Sequence, residues 1–243
     1  MKEPRDRRLR ILELLAGDAT LNTETKKLCQ VCADVTGMTG AGIMLMSGDT
    51  PRGSVCTTND VSSLIEELQY ELGEGPCVDA HEQGTPVLEP DLAEPLVPRW
   101  LAFRAPALAA GARAVFGFPM LVGAVRLGAL NLYCDRPGPL TDDQYADALV
   151  AAGVAARAIL ALQAHAPADG LAAELEAGAD FRYVVHQASG MVAAQLGVTV
   201  GQALVRLRAY AFGNGRSLAS VAREVVGRVL RFDEQSGEKD PSP

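Results

Sequence analysis

The sequence predicts an α+β fold in two parts: an antiparallel sheet flanked by helices, followed by a small three-helix bundle. Three observations predict it. Strand-like runs fall between helical segments in the first two-thirds of the chain, and two of these runs flank a tight turn. Pro167, Asp169 and Gly170 then interrupt the pattern. Beyond them lie short amphipathic helical segments whose fixed positive charges are all arginine as far as Phe232. A length of 243 residues suits two domains better than one.

The elements follow in order. Pro4–Ala16 and Asn22–Thr36 read as helices, the second with Leu28, Cys32 and Val35 at helical spacing and a stop before Gly37. Gly40–Met46 reads as a strand, Ser47–Gly53 as a turn and Ser54–Thr58 as a second strand. A helix over Val61–Leu72 leads into a loop at GEGPC, where two glycines and a proline fall together. After short elements to Glu94 come a helix near Arg99–Ala110 and strands at Ala114–Leu121 and Ala124–Tyr133, joined at Val122–Gly123. Thr141 is placed to cap a long helix, Asp142–Ala164. A helical stretch to Gln195 breaks at Gly197, and Thr199 with Gln202 has capping-box spacing for a helix from Val200. Gly213, Asn214 and Gly215 end that helix, and Ser217 caps a third. The domains are read as 1–165, a connector over 166–180, a module over 181–232 and a polar, disordered tail over 233–243.

Composition removes several classes. No run of about eighteen apolar residues escapes a charge or a proline, so no membrane span is expected. The start, MKEPRDRRLRILELLAG, reads as an amphipathic helix rather than a signal peptide, because Glu13 interrupts a very short apolar run. The expected location is cytoplasmic. Five scattered cysteines do not suggest a disulfide framework, and Cys29 and Cys32 read as small buried side chains on one helix face rather than as metal or redox ligands. Cys77 and His81 invite redox or haem readings, but no spacing supports either, and no P-loop, H-E-x-x-H pair or nucleophile elbow is present. No catalytic residue, metal or cofactor is therefore assigned, and the chain is not expected to be an enzyme.

Charge is distributed unevenly. The net charge is -8, yet Phe181–Phe232 holds seven arginines against Glu224 alone, a local charge of +6. Arginine suits phosphate because its planar fork bonds two oxygens at once. In the helix from Val200, an apolar stripe of Val200, Ala203, Leu204, Leu207 and Ala211 leaves Arg206 and Arg208 on its flanks. In the third helix, Leu218, Val221, Ala222, Val225 and Val229 form the stripe, with Arg216, Arg223 and Arg228 outside it. Three helices burying these stripes make a bundle ringed by arginine. A merely solvated basic surface fits this pattern equally well.

The ordered landmarks go further. Gln187-Ala188-x-Gly190-Met191, Gln202-Ala203, Leu207-Arg208, Ala211 and Arg216-x-Leu218-x-x-Val221-Ala222 resemble an ANTAR domain, a three-helix RNA-binding module of bacterial transcription antiterminators. The resemblance covers about Phe181–Arg231 and implies binding to structured leader RNA. Many ANTAR domains have lysine where this chain has Ser189, as in the variant common among actinobacterial members; that substitution removes one phosphate contact. Arg208 and Arg216 match basic positions of the family pattern. Arg182, Arg206 and Arg223 join them by charge and expected exposure. Tyr210 is either a stacking platform for a base or a half-buried bundle tyrosine. Ala188, Gly190 and Ala211 are small enough to permit close helix packing or close approach of RNA.

LGEGPCVDAHEQGTPV and RAVFGFPMLVGAVRLGALNLY resemble a GAF domain over about residues 1–165. This implies a sheet with flanking helices, an unknown small-molecule ligand and a homodimer formed through terminal helices. The long helix Asp142–Ala164 carries Tyr145, Leu149, Ala152, Ala156 and Ile159 along one side, to be covered by a second copy or by the first helix. Together the two resemblances imply a signal-responsive antitermination regulator. The alternatives are a GAF-type ligand-binding or redox enzyme whose C-terminal helices serve protein contacts, and a helix-turn-helix-like DNA-binding regulator.

Overall fold

A computed structural model describes residues 4–16, 21–47, 50–95, 97–165 and 180–232. The chain divides into two compact units, Met1–Leu175 and Glu176–Pro243. Residues 166–179 of the connector expected at 166–180, with the Pro167, Asp169 and Gly170 break, and the expected disordered tail at 233–243 lie outside the described residues.

The first unit holds helices α1 (Pro4–Leu15), α2 (Leu21–Thr36), α3 (Asp60–Leu72), α4 (Pro76–Gln83), α5 (Leu101–Ala109) and α6 (Asp142–His165). Its strands are β1 (Gly40–Ser47), β2 (Thr50–Thr57), β3 (Val87–Glu89), β4 (Ala114–Val122) and β5 (Val125–Cys134). They form one antiparallel sheet in the order β2-β1-β5-β4-β3. The expected turn at Ser47–Gly53 is much shorter than the sequence suggests, because both strands run on until Ser47 pairs with Thr50. The GEGPC loop is also shorter: Gly73 ends α3 in a left-handed conformation and Pro76 opens α4.

Successive strand residues face opposite layers. Ala114, Phe116, Phe118 and Met120 of β4 join Leu130 and Leu132 of β5 in a core with α1, α2 and α6. Val115, Ala129 and Tyr133 point the other way, into a second core with Ile65 of α3, Cys77 of α4, and Trp100 and Phe103 at α5. Both faces of the β4–β5 pair are thus buried.

Helix α6 is, among the described residues, the one helix long and apolar enough to cross a membrane by length and composition. Here it packs against the sheet and α2, burying Ala148, Ala151, Ala155 and Ile159. The apolar side expected to need a partner is thus largely covered within the chain. Ala152, Ala156 and Ile159 are buried, Tyr145 tilts against Phe118 at 5.7 Å, and only Leu149 of that set is exposed. Arg7 of α1, itself buried, ties the first helix to α6 by ion pairs of 2.6 Å to Asp147 and 2.5 Å to Asp143.

Cys29 and Cys32 are both fully buried on α2, as expected. Cys29 is not free, however: it is bonded to Cys56 of β2. Packing of α2 over β1 and β2 brings the two Cα atoms to 6.0 Å across a separation of 27 residues. A one-dimensional spacing cannot reveal that juxtaposition. Cys32 remains a thiol, its pKa pushed up to about 12 by burial.

Candidate nucleic-acid interface

The second unit contains α7 (Asp180–Leu196), α8 (Val200–Gly213) and α9 (Leu218–Val226). Gly197, at φ 64°, ends α7, and the chain turns through 104° between the axes of α7 and α8. The expected capping box forms: the Thr199 side chain accepts from the Gln202 N–H, and the Gln202 side chain accepts from the Thr199 N–H. Ser217 caps α9 as expected, accepting from the Ser220 N–H. These caps supply partners for first-turn amides that no helix can satisfy internally.

The bundle core is small and aliphatic. Val185, Ala188 and Val192 of α7 meet Ala203, Leu204, Leu207 and Ala211 of α8 and Leu218, Val221, Ala222 and Val225 of α9. Two residues expected in the stripes lie elsewhere. Val200 is 53% exposed in the first turn of α8. Val229 is 80% exposed because α9 stops at Gly227 and Arg228 adopts a left-handed φ of 59°. The chain then returns to the bundle, where the Phe232 N–H donates to Gln195 Oε1 at 3.0 Å and its ring is buried.

The arginines are distributed around this core. Arg206, Arg223, Arg228 and Arg231 are exposed, and Arg208 is half-buried. The side chain of Arg182 lies outside the described residues, although its backbone is helical. Arg216 is half-buried and engaged: its guanidinium meets both carboxylate oxygens of Glu224, at 3.1 and 2.5 Å, and donates to Ser220 Oγ at 3.0 Å. The hydrogen-bonded pair raises the Arg216 pKa and lowers that of Glu224. Arg216 is therefore held in one orientation by Glu224, a pairing that its position in the sequence does not disclose.

The remaining expected positions separate into packing and surface. Ala188 is fully buried, so it serves helix packing and cannot present itself to a ligand. Gly190 is exposed, and a Cβ built on it meets nothing within 4 Å, so packing does not demand glycine there. Ser189 is buried and donates to the Val185 carbonyl at 2.7 Å, so this position faces the bundle interior. Tyr210 is half-buried and packs edge-on against Phe232 at 5.3 Å, which commits its ring to the bundle. Among the described residues, the exposed aromatics are instead Tyr183 and Phe212, the latter 66% exposed. Neither stands out in the sequence, because each sits inside an apolar helical pattern.

The first unit has its own polar feature. Gly42, Asn131 and Gly117 pair directly across β1, β5 and β4, with their positions facing α3 and α4. A Cβ on Gly117 would sit 2.2 Å from the Pro76 carbonyl, and one on Gly42 would sit 2.7 Å from the Glu66 carboxylate. Glycine therefore lets both helices approach the sheet. Between the two glycines, the fully buried Asn131 carboxamide has no hydrogen-bond partner among the described residues, nor has Gln69 Nε2 of α3. Gln69 Oε1 accepts from the Cys77 N–H at 2.7 Å. Cys77 is fully buried, and desolvation and then Glu66 push its thiol pKa well above the ordinary range, so it is protonated and a poor nucleophile. His81 is buried on α4. Among the described residues, no group of three or more potential ligands is placed to hold a metal ion.

Comparison with known proteins agrees with this division. The family model for the GAF domain matches residues 18–160, and that for the ANTAR domain matches residues 173–226. No curated protein matches the chain. Among solved structures, the chain is similar to the GAF domain of a phosphoenolpyruvate-protein phosphotransferase from Coxiella burnetii, with TM-score 0.52 and 15% identity over 66% of this chain and 95% of that one. The corresponding domain from Acinetobacter gives TM-score 0.51 and 13% identity over 68% and 98%. A free methionine-R-sulfoxide reductase from Neisseria meningitidis, in complex with its substrate, gives 0.50 and 14% over 67% and 92%. At these identities the likeness concerns the fold alone.

Proposed function

The chain belongs to the GAF domain family and carries an ANTAR domain behind it, and from that premise we propose a signal-responsive regulator of transcription antitermination. In this reading the ANTAR unit binds stem-loops of a leader transcript and opposes a terminator. The observation that carries it is the overlap of the ANTAR match, residues 173–226, with the stretch Phe181–Phe232, where seven arginines face Glu224 alone. Exposed Arg206 and Arg223, with Arg208 and Arg216, form the phosphate-contacting set, and Arg182 extends it. Gly190 leaves room for the RNA backbone on the outer side of α7.

The GAF unit supplies the signal. Its ligand is a small polar molecule whose donors and acceptors satisfy Asn131 of β5 and Gln69 of α3. A buried amide with neither group satisfied costs stability, and a ligand that satisfies it recovers that cost. The protein works in the cytoplasm as a homodimer, with exposed Leu9 and Leu12 of α1 and Leu149 of α6 contributing the contact. A redox-enzyme reading is less well supported, because the buried Cys77 thiol is held protonated.

Crosslinking the full chain to RNA in cells, then sequencing what is recovered, tests the reading. The expected reads map to stem-loops upstream of terminators. Recovery of unstructured or random transcripts would contradict it.

A further inference from the structure

We propose that Phe212 is a stacking platform for one unpaired RNA base, with Arg208 one helical turn before it holding the neighbouring phosphate. This rests on the RNA reading above and adds a residue that the landmarks do not include.

Residues three, four and seven apart share a helix face. On α8 that rule gathers Val205, Arg208 and Phe212 into one stripe, with Val205 and Phe212 on the side away from the buried Leu207 and Ala211 and Arg208 at the border of the core. Val205 and Phe212 are both largely exposed, and Arg208 lies half-buried beside them. Phe212 sits in the last turn of α8, directly before Gly213-Asn214-Gly215. A Cβ built on either of those glycines meets nothing within 4 Å, so the space beside the ring is open. Asn214 keeps the turn in place by donating from Nδ2 to the Tyr210 carbonyl at 2.7 Å.

The chemistry favours a base over a protein surface. An exposed aromatic ring accepts the π-face of any base, and a neighbouring cation neutralises the phosphate that comes with it. Two apolar side chains fall far short of the roughly 800 Å² per partner that a stable protein interface buries. Arginines dominate the rest of the module's surface, which complements a polyanion. Tyr210, the other aromatic on α8, is already spent on Phe232.

The test uses the full chain and a pool of stem-loop RNAs with randomised unpaired loops. The tightest binder selected from that pool is compared with a fully paired duplex RNA carrying the same stem. Phe212→Ala should weaken binding of the looped RNA by about tenfold or more while leaving duplex binding and the salt dependence unchanged. Phe212→Tyr should restore the looped affinity. Arg208→Ala should instead flatten the salt dependence. The melting temperature of Phe212→Ala should match the parent, since the ring is exposed. Equal looped-RNA affinity in parent and Phe212→Ala overturns the inference, as does a change confined to sedimentation, which would mark Phe212 as a protein contact. If the parent chain selects no stem-loop at all, the RNA reading itself fails.

Discussion

Arg216 and Glu224 form a two-pronged ion pair, with guanidinium nitrogens 3.1 and 2.5 Å from the two carboxylate oxygens, joining the residue before the α9 cap to the last turn of that helix. The hydrogen bond to Arg216 holds the Glu224 carboxyl below its usual range. A carboxylate with a lowered folded-state pKa adds stability that is present above its unfolded value and lost as pH falls through the folded value. The C-terminal unit is therefore expected to melt at lower temperature as pH drops below the ordinary glutamate range. Glu224→Gln should remove most of that acid sensitivity, which calorimetry at a series of pH values would show. Both groups are about one-third exposed, so the effect is modest and weakens with added salt.

The exposed arginines should behave differently from the paired one. Arg206→Ala and Arg223→Ala are each expected to lower RNA affinity and to reduce the slope of log K against log salt by about one, with no change in melting temperature. Titrations at several salt concentrations would measure this. An unchanged slope in both variants would remove these residues from the interface.

Bundle integrity rests on the core and the caps. Leu207→Ala, at a fully buried position, should cost about 2–5 kcal/mol, enough to unfold so small a unit, whereas Thr199→Ala should cost about 1 kcal/mol through loss of the capping box. Thermal melts followed by circular dichroism would separate the two.

These features differ in how far the sequence discloses them. Capping depends on residues three apart, so Thr199 with Gln202 and the Ser217 cap are legible directly. The antiparallel β4–β5 pair is legible for the same reason, since a tight turn joins two segments of alternating pattern. Long-range geometry is not. Cys29 and Cys56 look unrelated until α2 lies over β2, and the coverage of α6 by α1 depends on Arg7 finding Asp147 across 140 residues. In the module, charge and landmarks identify the unit, but orientation decides each residue's part. Phe232 takes the Tyr210 ring, burial removes Ala188 and Ser189 from the surface, and Phe212 is left outside. A helical wheel does not show where a helix ends, so it cannot foresee that Val229 escapes the core.

The Cys29–Cys56 bond offers a test of the first unit. Closing a loop across 27 residues should stabilise that unit by about 2–4 kcal/mol relative to its reduced form. Cys56→Ser, or unfolding under reducing conditions, should lower its denaturation midpoint accordingly. Cys32→Ala should show no redox dependence beyond the parent's, because its buried thiol does not take part.

The central claim is that the arginine-ringed bundle reads structured RNA. Its most direct measurement is an electrophoretic competition in which the full chain, bound to a stem-loop leader RNA, is challenged with duplex DNA of equal length and charge. The RNA complex is expected to survive a large excess of DNA, and Arg208→Ala is expected to weaken it. Displacement by DNA as readily as by unlabelled RNA would contradict the claim.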